Sequence, residues 1–308
     1  MKFLYRLRKT AVRDWQLYLF ILIPLIWVII FCYTPMAGVQ IAFRKYQPRM
    51  GIWNSKWVGL YQFEKFFKSN QFNRVVSNTF LLSVYTILCS FPIPIIFALV
   101  LNSIRSHRFT TIAQTVVTMP HFISVVVLVG ILLQVFNSRT GIYGIVLEQL
   151  TGSYPADLFA KPTNFRHMYV WSGVWQQFGW NSIIYIAALS AVSPELHEAA
   201  QIDGASRFQR ILHVDFPAIL PTITIMLILR MGNVMTIGFE KAFLMQNSLN
   251  LSTSEIISTY VYKVGLSSAG TTDFSYSTAI GLFNSVINLV LISGTNLIAR
   301  RLGGNSLW

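Results

Sequence analysis

The sequence predicts an all-α integral membrane protein with six transmembrane helices. Composition is the first reason: 54% of the 308 residues are hydrophobic, only 11% are charged, and the mean hydropathy is +0.53. A soluble domain carries roughly a quarter charged residues. The second reason is a set of long apolar runs. Residues 15–43, 75–104, 109–138, 168–194 and 274–299 contain no Asp, Glu, Lys or Arg, and 216–239 is interrupted only by Arg230. About 20 such residues cross the hydrocarbon. The third is that these runs lack the dyad alternation of barrel strands, so helices are left as the structure that satisfies every backbone polar group in lipid.

Taken in order, the spans fall at about 15–38, 75–101, 111–136, 168–192, 218–239 and 275–299, in a single membrane domain of residues 1–308. The first follows Lys2, Arg6, Arg8, Lys9 and Arg13. Its apolar stretch is too long for a signal-peptide core, and no clear small-x-small cleavage site follows, which favours an uncleaved helix. The basic start places the N-terminus in the cytoplasm, and six spans return Arg300 and Arg301 to that side. By alternation 102–110 and 193–217 are cytoplasmic, whereas 39–74, 139–167 and 240–273 lie outside. A raw count of basic residues does not settle orientation, because 39–74 alone carries Arg44, Lys45, Arg49, Lys56, Lys65, Lys68 and Arg74. In the second span Pro92 and Pro94 remove two backbone donors and predict a kink, either a hinge or a static bend.

The net charge of +13 does not indicate nucleic-acid binding, since the basic residues sit between apolar runs rather than on one face. Cys32 and Cys89 both lie inside apolar runs, where packing is the expected role and no disulfide framework or metal site follows. The histidines at 107, 121, 167, 197 and 213 lack ligand spacing; His121, beside Pro120 within a span, is read as a packing residue.

Residues 193–217 are the most informative. Ser193-Pro194-Glu195 reads as a helix start: a capping serine, a proline preset for the first turn and an acid facing the positive end of the dipole. Gly204 reads as its stop. Ser206 with Gln209 fits a capping box opening a second short helix that ends near Pro217. The product is a compact knob at the membrane surface; a hairpin that merely joins two spans is the plainer alternative.

Glu198-Ala199-Ala200-Gln201-Ile202-Asp203-Gly204-Ala205, followed by Val214-Asp215-Phe216-Pro217, resembles the EAA loop of binding-protein-dependent ABC importer permeases of the type I, maltose-permease-like class. The family pattern is Glu-Ala-Ala-x-x-x-Gly, nine residues, then Ile-x-Leu-Pro; Val214 and Phe216 depart from it conservatively. Gly59-Leu60-Tyr61-Gln62-Phe63 with Phe66-Phe67, Phe72 and Asn78-Thr79 is similar to the approach to an early span in sugar permeases. Thr259-Tyr260-Val261-Tyr262-Lys263-Val264-Gly265-Leu266, with Tyr276-Ser277-Thr278-Ala279, resembles more narrowly the complex-oligosaccharide permeases of Gram-positive bacteria.

The resemblance implies a type I ABC importer transmembrane subunit in a bacterial plasma membrane, working with a second, homologous permease, two ATPase subunits that hold ATP and Mg, an extracellular solute-binding protein and an oligosaccharide substrate. The loop would then dock on the ATPase. Ala199, Ala200 and Ala205 would permit close approach, Gly204 the bend, Glu198 and Asp203 the charged contacts, and Pro217 the re-entry into span five. A helix-dipole or solvated-face role is the alternative for the two carboxylates. The chain has no Gly-Lys dipeptide, hence no Walker A phosphate loop, so hydrolysis would belong to the partner and no cofactor to this chain. Nor does the sequence present a catalytic constellation.

A translocation path is expected among polar groups within spans. Arg230, about a dozen residues into span five, would sit near mid-membrane, with Asn233 one turn on. It could donate to sugar hydroxyls, meet a uronate carboxylate bidentately, or pair structurally with Glu240 or a partner's carboxylate. Asn284 and Asn288 are an i, i+4 pair in span six. Trp171 and Trp175 share a face suited to stacking on sugar rings, or to the interfacial aromatic belt. A permease for another small solute, a non-transporting scaffold whose knob recruits a partner, and a membrane enzyme are the other readings.

Overall fold

The computed structural model describes residues 13–104, 106–267 and 272–301. Lys2, Arg6, Arg8 and Lys9, which carried the orientation argument, lie outside the described residues. The chain divides into two compact units, Met1–Phe66 with Val264–Leu282 and Phe67–Lys263 with Phe283–Trp308.

In the first unit, α1 (Trp15–Val28) continues through a π turn, Ile29–Tyr33, and a 3-10 segment, Thr34–Phe43, into one 29-residue apolar helix. Its most apolar stretch is wholly exposed in the isolated chain, Cys32 included. A two-residue antiparallel ribbon follows: β1 (Arg44–Lys45) pairs with β2 (Lys56–Trp57) in the register Arg44↔Trp57, Lys45↔Lys56. Phe43 stacks on Trp57 at 5.6 Å and meets Phe63 of α2 (Tyr61–Phe67) at 5.4 Å. Tyr46 N–H donates to Ser275 Oγ at 2.8 Å, tying the ribbon to the start of the last helix.

The second unit is built around one long helix. In order come α3 (Asn70–Ser90), α4 (Pro92–Asn102), α5 (His107–Thr118), α6 (Val125–Val135), α7 (Ile142–Thr151) and α8 (Pro162–Ser190). Then follow α9 (Pro194–Ile202), α10 (Arg207–Arg210), α11 (Phe216–Met231), α12 (Phe239–Met245), α13 (Ile257–Tyr262) and the body of α14 (Phe274–Arg301). At 29 residues α8 is about 44 Å long at 1.5 Å per residue. It packs against α3, α4, α5, α11 and α12. Phe165, Tyr169, Val170 and Val174 join Leu82, Val129, Ala242 and Met245 in one core, while Tyr185 and Leu189 join Ile95, Ala98, Leu99 and Ile219 in another. Cys89 packs against the first. A Cβ on Gly179 would lie 2.2 Å from the Val117 carbonyl, so α8 and α5 approach backbone to backbone.

Among the described residues, four helices are long and apolar enough to span: Trp15–Phe43, Asn70–Asn102, Arg207–Met231 and Phe274–Arg301. Two expectations are corrected. The run 111–136 is two helical pieces, His107–Phe122 and Val125–Val135, bent by 94°; Ile123 is extended and Ser124 caps the second piece, so they make a fifth span only as a broken pair. The run 168–192 falls almost wholly on one 29-residue helix, α8, which buries polar side chains such as Gln176 and Ser182 against neighbouring helices. The run 218–239 is offset: the helix begins at Arg207 and stops at Met231, where Gly232 and the turns to Gly238 take over. In the second span α3 and α4 meet at Phe91, which keeps helical dihedrals (φ −83°, ψ −46°), so Asn70–Asn102 runs as one 33-residue helix through the Pro92 and Pro94 pair at which a kink was expected.

Candidate functional site

The segment between α8 and α11 forms the first candidate. Ser193 Oγ accepts from Glu195 N–H at 3.3 Å, and Pro194 occupies the first turn of α9. The helix closes in a Schellman motif: Ala205 N–H donates to the Ala200 carbonyl at 2.9 Å and Gly204 N–H to that of Gln201 at 3.1 Å. Gly204 has φ +76°, the left-handed conformation a Cβ disfavours, yet a Cβ there would meet nothing within 4 Å. The turn demands glycine, not a close neighbour. Ser206 N–H donates to Gln209 Oε1 at 2.8 Å and Gln209 N–H to Ser206 Oγ at 3.3 Å, completing the expected capping box.

The second short helix does not end near Pro217. It runs from α10 through a π turn, Ile211–Asp215, into α11, and Pro217 sits in the first turn of α11. A proline ring crowds the carbonyl four residues back, and a widened turn just before it relieves that clash. Glu198, Ala199, Asp203 and Pro217 are exposed, and Ala200 and Ala205 half-buried. Ile202 is 87% and Phe208 68% exposed.

Beneath the knob, Asp215 is buried and joins three elements: Asn102 Nδ2 of α4 donates to its Oδ1 at 3.1 Å, and His197 Nε2 of α9 lies 3.3 Å from the same atom. A cavity of about 510 Å³ opens beside it, lined among others by Glu198, Arg207 and Arg210. Asp215 was visible in sequence only as the variable position of the motif.

The candidate path residues separate. Arg230 and Asn233 line a cavity of about 180 Å³ with Ser83, Thr86, Tyr169 and Thr236. Arg230 is the penultimate residue of α11 rather than a mid-helix residue, because the helix starts at 207 and stops at 231. It is half-buried and makes no ion pair, with Glu240 or any other acid, among the described residues. Asn233 is exposed and donates to the Leu229 carbonyl at 3.1 Å. Asn288 is a tether: its Oδ1 accepts from Met235 N–H at 2.9 Å and its Nδ2 donates to Thr236 Oγ1 at 2.7 Å, fastening the turns after α11 to α14. Asn284 has a buried Oδ1 without a partner.

Trp171 and Trp175 are both about half exposed on α8. Trp171 Nε1–H donates to Tyr85 Oη at 3.0 Å, leaving the Tyr85 proton for His167 Nδ1 at 2.8 Å. Tyr85 and His167 were missed as path candidates, although His167, Trp171 and Trp175 recur at i, i+4 and i+8. His121 is the packing residue expected, stacked on Trp180 at 4.2 Å and bonded to Gln177 Oε1 at 2.8 Å.

Residues 90–304 match the family model described as binding-protein-dependent transport system inner membrane component. The chain is 42% identical to protein LplB of Bacillus subtilis (strain 168), over 96% of its own length and 92% of that protein's. To the polygalacturonan/rhamnogalacturonan transport system permease protein YteP of the same organism it is 36% identical, covering 98% and 93%. Among solved structures it is similar to a chain of a bacterial ABC transporter involved in the import of the acidic polysaccharide alginate, with TM-score 0.87, 38% identity and coverage of 96% and 99%. A chain of the bacterial alginate ABC transporter in complex with an alginate pentasaccharide-bound periplasmic protein gives TM-score 0.88, 36% identity and coverage of 98% and 100%.

Proposed function

The chain belongs to the family of binding-protein-dependent transport system inner membrane components, and we propose that it forms half of the translocation path of an ABC importer for acidic oligosaccharides. A homologous permease completes the path, two ATPase subunits engage residues 193–217 from the cytoplasm, and an extracellular binding protein delivers the substrate. The observation that carries the coupling half of this reading is the knob itself, a Schellman-closed helix and a capping-box turn presenting Ile202 and Phe208 to an absent partner. Glu198 and Asp203 flank that face as the charged contacts, with Ala199, Ala200 and Ala205 keeping it low. Closure of the ATPase pair pushes on α9 and, through the Asp215 junction, on α4 and α11 together.

The acidic substrate is supported by Arg230, a guanidinium beside a cavity with no carboxylate of its own, and by relatives whose names specify polygalacturonan and alginate. Arg230 with Asn233 forms the uronate-facing part of the path; Trp171 and Trp175, with Tyr85 and His167, offer faces for sugar rings. The complex in proteoliposomes, with its binding protein, tests both halves. Glu198→Lys or Gly204→Val should abolish ATP-driven uptake of trigalacturonate and of a neutral trisaccharide alike while the subunit still inserts. Arg230→Gln should depress trigalacturonate uptake about tenfold more than neutral uptake at unchanged complex yield, the loss of one charge-assisted contact. Equal loss for both sugars with a low yield would make Arg230 structural, and normal uptake by both loop variants would refute the coupling role.

A further inference from the structure

The first unit contains a third cavity, of about 770 Å³, lined by none of the loop or path residues discussed above. Its wall is the β1–β2 ribbon, and the ribbon breaks a rule of strand pairing. Lys45 stands directly opposite Lys56 in an antiparallel register, so both side chains leave the same face of the ribbon. Like charges directly opposite destabilise such a pair, and a local rule broken without compensation inside the chain marks a functional position. Among the described residues neither lysine has a carboxylate partner.

The rest of the lining fits a sugar. Lys65 also lines the cavity, but Asp273 pairs with it at 2.8 Å and also accepts from Tyr276 N–H at 3.0 Å, so the one acid present is engaged. Three lysines against one aspartate leave a surplus of two positive charges. Trp57 is held flat by its stack on Phe43 and still 56% exposed; Tyr61 is 60% exposed. The Arg44 guanidinium also sits over the Trp57 ring, 5.4 Å from its centroid, and the exposed parts of Trp57 and Tyr61 are apolar surfaces for pyranose rings. Gln62, only 5% exposed, contributes to the lining with an Oε1 that has no hydrogen-bond partner. A concave, aromatic and cationic hollow suits a short anionic saccharide better than the flat face of a protein.

We propose that this cavity is an entry subsite for the uronate residues of an acidic oligosaccharide, on the membrane face opposite residues 193–217. The inference rests on the importer reading and names a site that reading does not use. It lies between spans one and two, which alternation puts across the membrane from the loop between α8 and α11. Carboxylates would bridge Lys45 and Lys56, relieving their mutual repulsion, while the rings lie on Trp57 and Tyr61.

Calorimetric titration of the assembled Arg230→Gln complex in nanodiscs, without the binding protein, isolates this subsite from the path cavity. Trigalacturonate and its neutral methyl ester are the probes. Lys45→Gln with Lys56→Gln should weaken trigalacturonate binding about tenfold and leave the methyl ester unchanged, and Trp57→Ala should weaken both. Lys56→Glu, which places opposite charges across the ribbon, should keep or raise the melting temperature while eliminating trigalacturonate binding, a combination that a structural role does not produce. No binding of trigalacturonate by the Arg230→Gln complex, or equal binding once both lysine changes are added, overturns the inference. Unchanged binding with a reduced ATPase response to the loaded binding protein also overturns it, in favour of a protein-docking face. ATP-driven uptake of trigalacturonate by the wild type, measured separately, reports on the importer reading itself.

Discussion

At the residue scale, side chains that look alike in sequence divide by what the fold brings to them. Asn233, Asn284 and Asn288 are three polar residues in or beside apolar runs, yet Asn288 is committed to Met235 and Thr236. Asn288→Ala should strand that backbone donor and lower the stability of the detergent-solubilised subunit by about 1–3 kcal/mol, read as a fall in melting temperature with loss of uptake for every sugar. A selective loss for one class of sugar would instead return Asn288 to the path. Lys241 was not singled out by sequence at all. Buried in α12, its Nζ donates to the Tyr169 carbonyl at 2.8 Å and lies 4.9 Å from that ring's centroid. Burial pushes its ammonium from 10.5 down to about 7. Between those values the unfolded chain holds the extra proton, so stability should rise as pH climbs from about 7 towards 10.5 and stay low below it, by a few kcal/mol in all. Melting curves at pH 6 and pH 9 should show this rise for the wild type and a smaller one for Lys241→Met; identical pH responses would show that Lys241 does not titrate there. Neither Asn288 nor Lys241 was legible in the sequence, because each role depends on a partner more than 50 residues away.

At the element scale, what is local was legible. The caps at Ser193 and Ser206 and the stop at Gly204 follow from short-range chemistry, and the structure carries all three. The end of α11 and the 94° break before α6 were not, since both fall inside apolar runs where hydropathy is indifferent to direction. The helix that organises the second unit was located in sequence, at 168–192 against Pro162–Ser190, but its central place in the packing was not. A central helix needs small residues and satisfied polar groups more than it needs apolarity, and α8 supplies Gly179 against the Val117 carbonyl. Gly179→Ala should force α8 from α5 at a cost of about 1–3 kcal/mol, lowering the yield of folded subunit. The corresponding change at Gly130, where a Cβ would meet nothing within 4 Å, should leave yield unaltered. Equal yields from the two variants would mean that the α5–α8 contact does not limit assembly.

At the scale of the whole molecule, composition identified the solvent and the resemblance identified the machine, but orientation remains an argument about charge and alternation. The most apolar stretch of Trp15–Phe43 is exposed in the isolated chain, as expected where lipid or the second permease covers it, because lipid tails are as apolar as the side chains they meet. Basic residues do not decide the direction: 39–74 is rich in them, and on the proposal above Lys45 and Lys56 face substrate rather than anionic lipid. Orientation therefore depends on residues 193–217, which must lie on the ATPase's side if the coupling role is right. With Cys32 and Cys89 replaced, a cysteine at Ser206, exposed in its capping turn, should react with an impermeant thiol reagent only after the cytoplasmic side is opened. One at Leu249, exposed in the connection after α12, should react in intact cells, because an odd number of spans separates the two positions. Reversed labelling would put the knob outside and the lysine cavity inside, and both the coupling and the entry assignments would fall together. Labelling of both positions from one side would mean that the helix from Arg207 to Met231 does not cross the membrane. That outcome would overturn the span count while leaving the knob's geometry intact.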